Sequence, residues 1–181
     1  MIYLFLAEGF EEIEALATLD LLRRAELEVA AVGVGRKIVT GSHGISVVTD
    51  VMDCEIMPDE NCDCVILPGG MPGTLNLEKS ATVQNFIDYA AQNNKLLCAI
   101  CAAPSILGHK GLLNSKNATC YDGFETQLNG AIISDKKVCH DGNIITAAGA
   151  GVSIEFALEI IRELCGEANS KRIKDSIKCI Q

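Results

Sequence analysis

The sequence has 181 residues, 49% hydrophobic and 4% aromatic with no Trp, and 15 basic against 24 acidic side chains give a formal net charge of −9. That length fits one domain, residues 1–181, with a core that needs no disulfide or metal staple. The apolar share excludes a disordered chain, and the acidic balance argues against nucleic acid or an anionic membrane as partner.

Met1 to Glu8 is apolar but lacks a basic region and meets an acid at position 8, so it reads as neither a signal peptide nor a membrane span. A cytoplasmic, reducing setting is expected, in which the nine scattered cysteines stay thiols. Residues 2–6 form a continuous apolar run, the pattern of a strand buried on both faces. Residues 10–25 read as a helix with glutamates at its start and Arg23 and Arg24 at its end, an order that suits the helix dipole. A second strand is predicted over 27–34, and the Gly-rich stretch within 36–52 predicts a hairpin or excursion.

Cys64 to Leu67 is the next buried-strand run, closed by Pro68-Gly69-Gly70. A helix follows over 81–93, a strand over 95–100 and another helix from Pro104, a residue tolerated in a first helical turn. Asp141-Gly142 marks a hairpin between 138–140 and 144–147, and helices are predicted over 152–165 and 167–178. This alternation predicts a mainly parallel sheet covered by helices on both faces.

Ligands of such sheets bind beyond the carboxyl ends of the strands. Cys101 stands at one of those ends, between a buried strand and a helix start, where a sharp turn would push its side chain into the crevice and the helix N-terminus would lower its pKa. The alternative is a structural cysteine that ends a strand. Cys98 and Cys101 make a C-x-x-C pattern, but Cys98 falls inside the strand, which speaks against a redox pair. No second Cys or His pair accompanies Cys62 and Cys64 at zinc spacing, so no metal is expected.

On a 100° helical wheel Glu14 shares a side with Phe10, Ala17 and Leu21, whereas Glu11 and Glu12 point elsewhere and read as solvated. A carboxyl aimed at the sheet costs energy unless it is paired or keeps its proton, which makes Glu14 a candidate acid beside Cys101. His43 reads as a loop residue, with a place over the crevice as the alternative, and His140 as a surface residue. No Ser-His-Asp constellation stands out.

The segments Glu8-Gly9-Phe10-Glu11-Glu12-Ile13-Glu14, Pro68-Gly69-Gly70 and Ala99-Ile100-Cys101-Ala102-Ala103-Pro104, in that order and spacing, resemble the ThiJ/PfpI superfamily. Within it the sequence is most similar to the branch of the parkinsonism-associated deglycase (DJ) and ThiJ, and the resemblance extends to Ile154-Glu155-Phe156-Ala157-Leu158. It implies a flavodoxin-like three-layer α/β/α sandwich, related to class I glutamine amidotransferases, in a homodimer. It implies Cys101 as the reactive cysteine, Glu14 as the acid bonded to it, and the backbone amides of Gly70 and Ala102 as oxyanion donors, with Gly69, Tyr121 and His43 as further pocket residues. Such cysteines also oxidise readily to a sulfinate.

Two positions depart from the pattern. Many members carry a histidine after the strand that follows the elbow helix, and this sequence has Tyr121 there. Ala148 replaces a basic residue, while His43 stands where another basic residue is common. Cys-His peptidase chemistry therefore loses its base, and Glu14 becomes the proton shuttle. The resemblance then implies conversion of 2-oxoaldehydes such as methylglyoxal and glyoxal, or of their adducts with thiols and amines, to hydroxyacids without cofactor or glutathione. The alternative is a redox sensor or thiol-dependent chaperone whose Cys101 is oxidised rather than turned over.

Overall fold

A computed structural model describes residues 1–179, and the continuous apolar runs form the centre of its sheet. In chain order the elements are β1 (Ile2–Leu6), α1 (Glu12–Arg24), β2 (Val29–Gly33), β3 (Ile38–Thr40), β4 (Ser46–Val48), β5 (Val51–Met52), β6 (Cys64–Leu67), α2 (Gly73–Lys79), α3 (Ala81–Gln92) and β7 (Leu96–Ile100). They continue as α4 (Pro104–His109), β8 (Asn117–Ala118), β9 (Ile132–Ile133), β10 (Val138–Asp141), β11 (Ile144–Ala147), α5 (Ser153–Cys165) and α6 (Glu167–Ser176). Seven strands pair in the order β10-β11-β7-β6-β1-β2-β5, with every pair parallel except β10 with β11. This is a flavodoxin-like α/β arrangement.

Alternation along each strand divides the core in two. Leu4, Leu6, Ile66, Cys98, Ile100 and Ile145 face α1, α5 and α6, whose contributions include Leu22, Phe156 and Ile160. Phe5, Val65, Leu67, Leu97 and Ala99 face the other way, onto Leu77 of α2, Phe86 of α3 and Ile106 of α4. Phe86 meets Tyr3 and Phe5 with ring centroids 4.7 and 5.1 Å apart. The sheet is thus buried on both faces, which is why β6 and β7 have no polar alternation.

The hairpin β3–β4 leaves the main sheet and folds back over the start of α1. Gly9 N–H donates to the Thr40 carbonyl at 2.8 Å, and Ser42 N–H donates to the Phe10 carbonyl at 2.8 Å. The turn after β1 is also tied to the turn after β6, since Glu11 N–H donates to the Gly69 carbonyl at 2.9 Å and Gly73 N–H to the Gly9 carbonyl at 3.1 Å. Three segments far apart in sequence are therefore joined at the carboxyl ends of the central strands.

Several expectations needed correction. The buried face of α1 is wider than the wheel implied, including Ala15, Thr18, Leu19 and Leu22, while Ala17 is only half-buried. The short helix α2 and the two-residue pair β8–β9 carry too few residues to show a period. His140 is half-buried and tied down, not a free surface residue: its Nδ1 lies 2.8 Å from Glu159 Oε1, and its side chain is 20% exposed. Among the described residues, no helix is long and apolar enough to cross a membrane.

Candidate active site

Cys101 follows β7 directly with a φ of +65°, in the left-handed region that non-glycine residues rarely adopt. Its backbone is pinned on both sides. Cys101 N–H donates to the Ala147 carbonyl of β11, and Tyr121 N–H donates to the Cys101 carbonyl, both at 2.8 Å. Ala99, Ala102 and Ala103 around it are buried, so the turn closes without side-chain conflict. The side chain is aimed at the crevice, as the elbow expectation required. The helix argument fares less well: α4 begins only at Pro104 and has six residues, so the amide donors that act on the sulfur are those of Ala102 and Gly70.

Glu14 lies in the first turn of α1 with 1% of its surface exposed. Gly69 N–H donates to its Oε2 at 2.7 Å, while its other oxygen, Oε1, is buried without a hydrogen-bond partner among the described residues. Such an orphaned oxygen is costly in a structural role and useful in a reactive one. Burial pushes the Glu14 carboxyl up to about 7, against the opposing pull of the Gly69 N–H and the Cys101 thiol.

The thiol moves upward too. Burial and then the negative charge of Glu14 push Cys101 up to about 12, while the N–H groups of Ala102 and Gly70 pull it down. This corrects the expectation of a thiolate poised by a helix terminus. Two groups that both resist ionisation share the site, and their protons move as a coupled set. Near neutral pH an ionised Glu14 beside a protonated Cys101 is a base facing its proton source.

Gly69 is the floor of this arrangement rather than a pocket wall. A Cβ there would stand 2.6 Å from the Cys101 Cβ and 2.8 Å from Glu14 Oε2, so only glycine lets the two side chains meet. The cleft above has a volume of about 480 Å³, and Glu14, Gly70, Cys101, Ala102, Tyr121 and His43 are among its lining residues. A cleft of about 510 Å³ at the amino ends of the strands, beside Met1, Asp63 and Lys95, is lined by no cysteine or histidine.

Glu12 was misread as solvated. It is 4% exposed and accepts four hydrogen bonds from the loop between β3 and β4. His43 N–H and Ile45 N–H donate to its Oε1 at 2.7 and 3.3 Å, and His43 Nδ1 and Ser42 Oγ reach its Oε2 at 3.0 and 3.3 Å. Burial pushes this carboxyl up, but those bonds outweigh it and hold it at about 2. Glu11 joins at the edge, its Oε2 3.2 Å from Ser42 Oγ and sharing with Glu12 the single proton of that hydroxyl. The donor atoms of Glu11, Glu12 and His43 come within 4.8 Å of one another, and the Glu12 oxygens among them are already engaged by hydrogen bonds from the loop. Sequence alone offered one signal for it, the Gly41-Ser42-His43-Gly44 turn, in which only a glycine at 41 lets the backbone meet the Glu12 carboxyl.

The remaining cysteines differ from Cys101 in environment. Cys98 is buried with its sulfur 3.7 Å from that of Cys64, and burial raises its pKa well above the ordinary value. Cys120 is buried and pushed up to about 11, and none of the three lines the cleft.

Residues 1–163 match the DJ-1/PfpI family. Protein dj-1beta of Drosophila melanogaster is 35% identical over 93% of this chain and 91% of its own length. The glutathione-independent glyoxalase DJR-1.2 of Caenorhabditis elegans is 30% identical over 88% of this chain and 85% of its own. The solved structure of oxidized Toxoplasma gondii DJ-1 superposes with a TM-score of 0.93 at 33% identity, covering 98% of this chain and 97% of that one. On a family match over residues 1–163, and on sequence and fold matches over most of its length, the chain belongs to the DJ-1/PfpI family.

Proposed function

We propose that the protein is a cysteine-dependent, glutathione-independent enzyme that converts 2-oxoaldehydes such as methylglyoxal and glyoxal to hydroxyacids. The observation that carries this reading is the buried, unpartnered Glu14 Oε1 beside a thiol at a strained elbow. The glyoxalase name of the Caenorhabditis relative supports it.

The chemistry needs only the residues on this chain. As Cys101 Sγ bonds to the aldehyde carbon, its proton passes to Glu14, and the developing oxyanion meets the N–H groups of Gly70 and Ala102. Glu14 returns the proton to that oxygen and leaves a hemithioacetal. It then takes the hydrogen from the same carbon and delivers it to the neighbouring carbonyl carbon, while the hydroxyl proton moves to the second oxygen. The product is a thioester of the hydroxyacid. Water attacks the thioester, the C–S bond breaks, and the sulfur regains its proton. Methylglyoxal plus water becomes lactate with no oxidant or reductant. A glycated thiol or amine enters the same sequence once its hemithioacetal or hemiaminal releases the free thiol or amine and the aldehyde that Cys101 attacks, and this amounts to deglycase activity in stress protection.

A homodimer in the cytoplasm belongs to the same reading. Ile13 on α1 and the cross-strand pair Ile38 and Val48 are exposed apolar side chains that a second copy would cover, and sedimentation tests this. The redox alternative has one supporting observation, the oxidized state of the Toxoplasma relative. Two equivalents of peroxide would take Cys101 through sulfenic to sulfinic acid with release of two waters.

The test is to incubate the protein with methylglyoxal and follow substrate loss and lactate, beside Cys101→Ser and Glu14→Gln. The proposal expects turnover in the wild type and none in either variant. Turnover that survives Cys101→Ser removes the nucleophile. An inert wild type, oxidised by peroxide selectively at Cys101, assigns the sensor role.

A further inference from the structure

Tyr121 replaces the histidine expected near the thiol, yet an imidazole lines the same cleft. His43 lines it together with Cys101, Glu14 and Tyr121. The ring is not loosely placed. A carboxylate only accepts hydrogen bonds, so the 3.0 Å contact with Glu12 Oε2 puts a proton on Nδ1. Nε2 makes no hydrogen bond among the described residues, and the side chain is 69% exposed.

The carboxylate that orients the ring is itself built in. A Cβ on Gly41 would overlap the Glu12 carboxyl group, so the hairpin backbone lies directly against it. With two loop N–H groups on one Glu12 oxygen, the other is fixed towards His43. Glu11 Oε2 stands 3.3 Å from the same Nδ1. The titratable groups facing His43 are Glu11 and Glu12 of α1, with Glu14, Cys101 and Tyr121 sharing the cleft, and none of them is a cation. The hydrogen bond to Glu12 and the charges of Glu11 and Glu12 raise the pKa of the ring.

We propose that His43 is the specificity-determining residue of the cleft, with Glu12 as its positioning residue: the charged ring, held by Glu12 through Nδ1–H, donates its Nε2–H to the oxygen on the substrate carbon next to the aldehyde. This deepens the reading of the protein as an enzyme of 2-oxoaldehydes and rests on it. With the aldehyde carbon at Cys101 and its oxygen at the two amides, the rest of the substrate lies in the cleft that His43 lines. A cation there favours substrates with a second carbonyl, or a carboxylate, over simple aldehydes.

The test measures alkylation of Cys101 by iodoacetate and by iodoacetamide, read by mass spectrometry between about pH 6 and about pH 9. Taking the ratio of the two rates cancels the ionisation of the thiol. In the wild type the ratio should fall about fivefold with rising pH as the ring loses its charge. His43→Asn should flatten it at the low value, and His43→Lys should hold it high across the range. Glu12→Gln should move the midpoint to lower pH if it folds; the two His43 variants decide the matter if it does not. With methylglyoxal, His43→Asn should raise KM about fivefold and change kcat less.

Equal ratios in wild type and His43→Asn overturn the inference, whether or not methylglyoxal is turned over. A wild type inert towards methylglyoxal that still shows a His43-dependent ratio overturns the enzymatic reading and retains the anion-selective cleft.

Discussion

Glu12 and Glu14 sit two residues apart on the same turn of α1, both nearly inaccessible to water, and their carboxyls move in opposite directions, to about 2 and about 7. The difference lies in what surrounds them. Glu12 is met by four donors from a loop that closes over it, so its charge is fully solvated by the protein. Glu14 is met by one backbone N–H and a thiol, with one oxygen unpartnered among the described residues. Burial alone therefore does not set a carboxyl's role. The number of donors converts one glutamate into a structural clamp and leaves the other as a proton carrier.

The largest expected effect separates the two by chemistry. Glu14→Gln can still accept from Gly69 N–H but cannot move a proton, so turnover of methylglyoxal should fall about 1000-fold or more with the fold intact. A loss below about tenfold would assign the proton transfer to another group.

Stability against pH separates them by sign. Folded Glu14 keeps its proton to about pH 7 but unfolded only to about 4.5, so the folded state binds more protons in between. Its contribution is full below about pH 4.5 and is lost as pH rises to 7, by at most about 3 kcal/mol. Folded Glu12 keeps its charge down to about pH 2, so its contribution is full above about 4.5 and is lost as pH falls towards 2. Urea unfolding at several pH values should show Glu14→Gln removing the first slope and leaving the second.

A smaller effect tests the floor that joins the pair. Gly69→Ala places a methyl between Cys101 and Glu14 and should cost about 2 kcal/mol in urea unfolding. It should also slow alkylation of Cys101. The smallest effect is expected at Tyr121, which contacts the cleft with an exposed ring. Tyr121→Phe should change stability by less than about 0.5 kcal/mol, and a large loss of turnover there would show that its hydroxyl replaces the absent histidine.

The sequence pattern reached some of this and missed some for physical reasons. The runs at 2–6, 64–67 and 96–100 were legible because strands buried on both faces need no polar alternation. Glu14 was legible because its neighbours on the wheel are apolar, and Cys101 because small residues flank it at a strand end. Glu12 was not legible, since its donors lie about thirty positions away on a hairpin whose fold-back no local periodicity encodes. The same gap hid the setting of His43. The helix start at Pro104 was legible, but the thiol's upward shift was not, because it comes from burial and from Glu14, which is held beside the elbow by the bonds of Glu11 N–H to the Gly69 carbonyl and of Gly69 N–H to Glu14.

The central claim is that Glu14, unlike Glu12, exchanges its proton near neutral pH because it faces Cys101 in a nearly donor-free pocket. Carboxyl carbon NMR of selectively labelled glutamate, assigned with Glu12→Gln and Glu14→Gln and titrated from about pH 3 to about pH 9, measures it directly. The account predicts a Glu14 midpoint near 7, higher in Cys101→Ala, which removes the thiol that pulls it down, with Glu12 ionised throughout. A Glu14 midpoint near the ordinary 4.5 would contradict it.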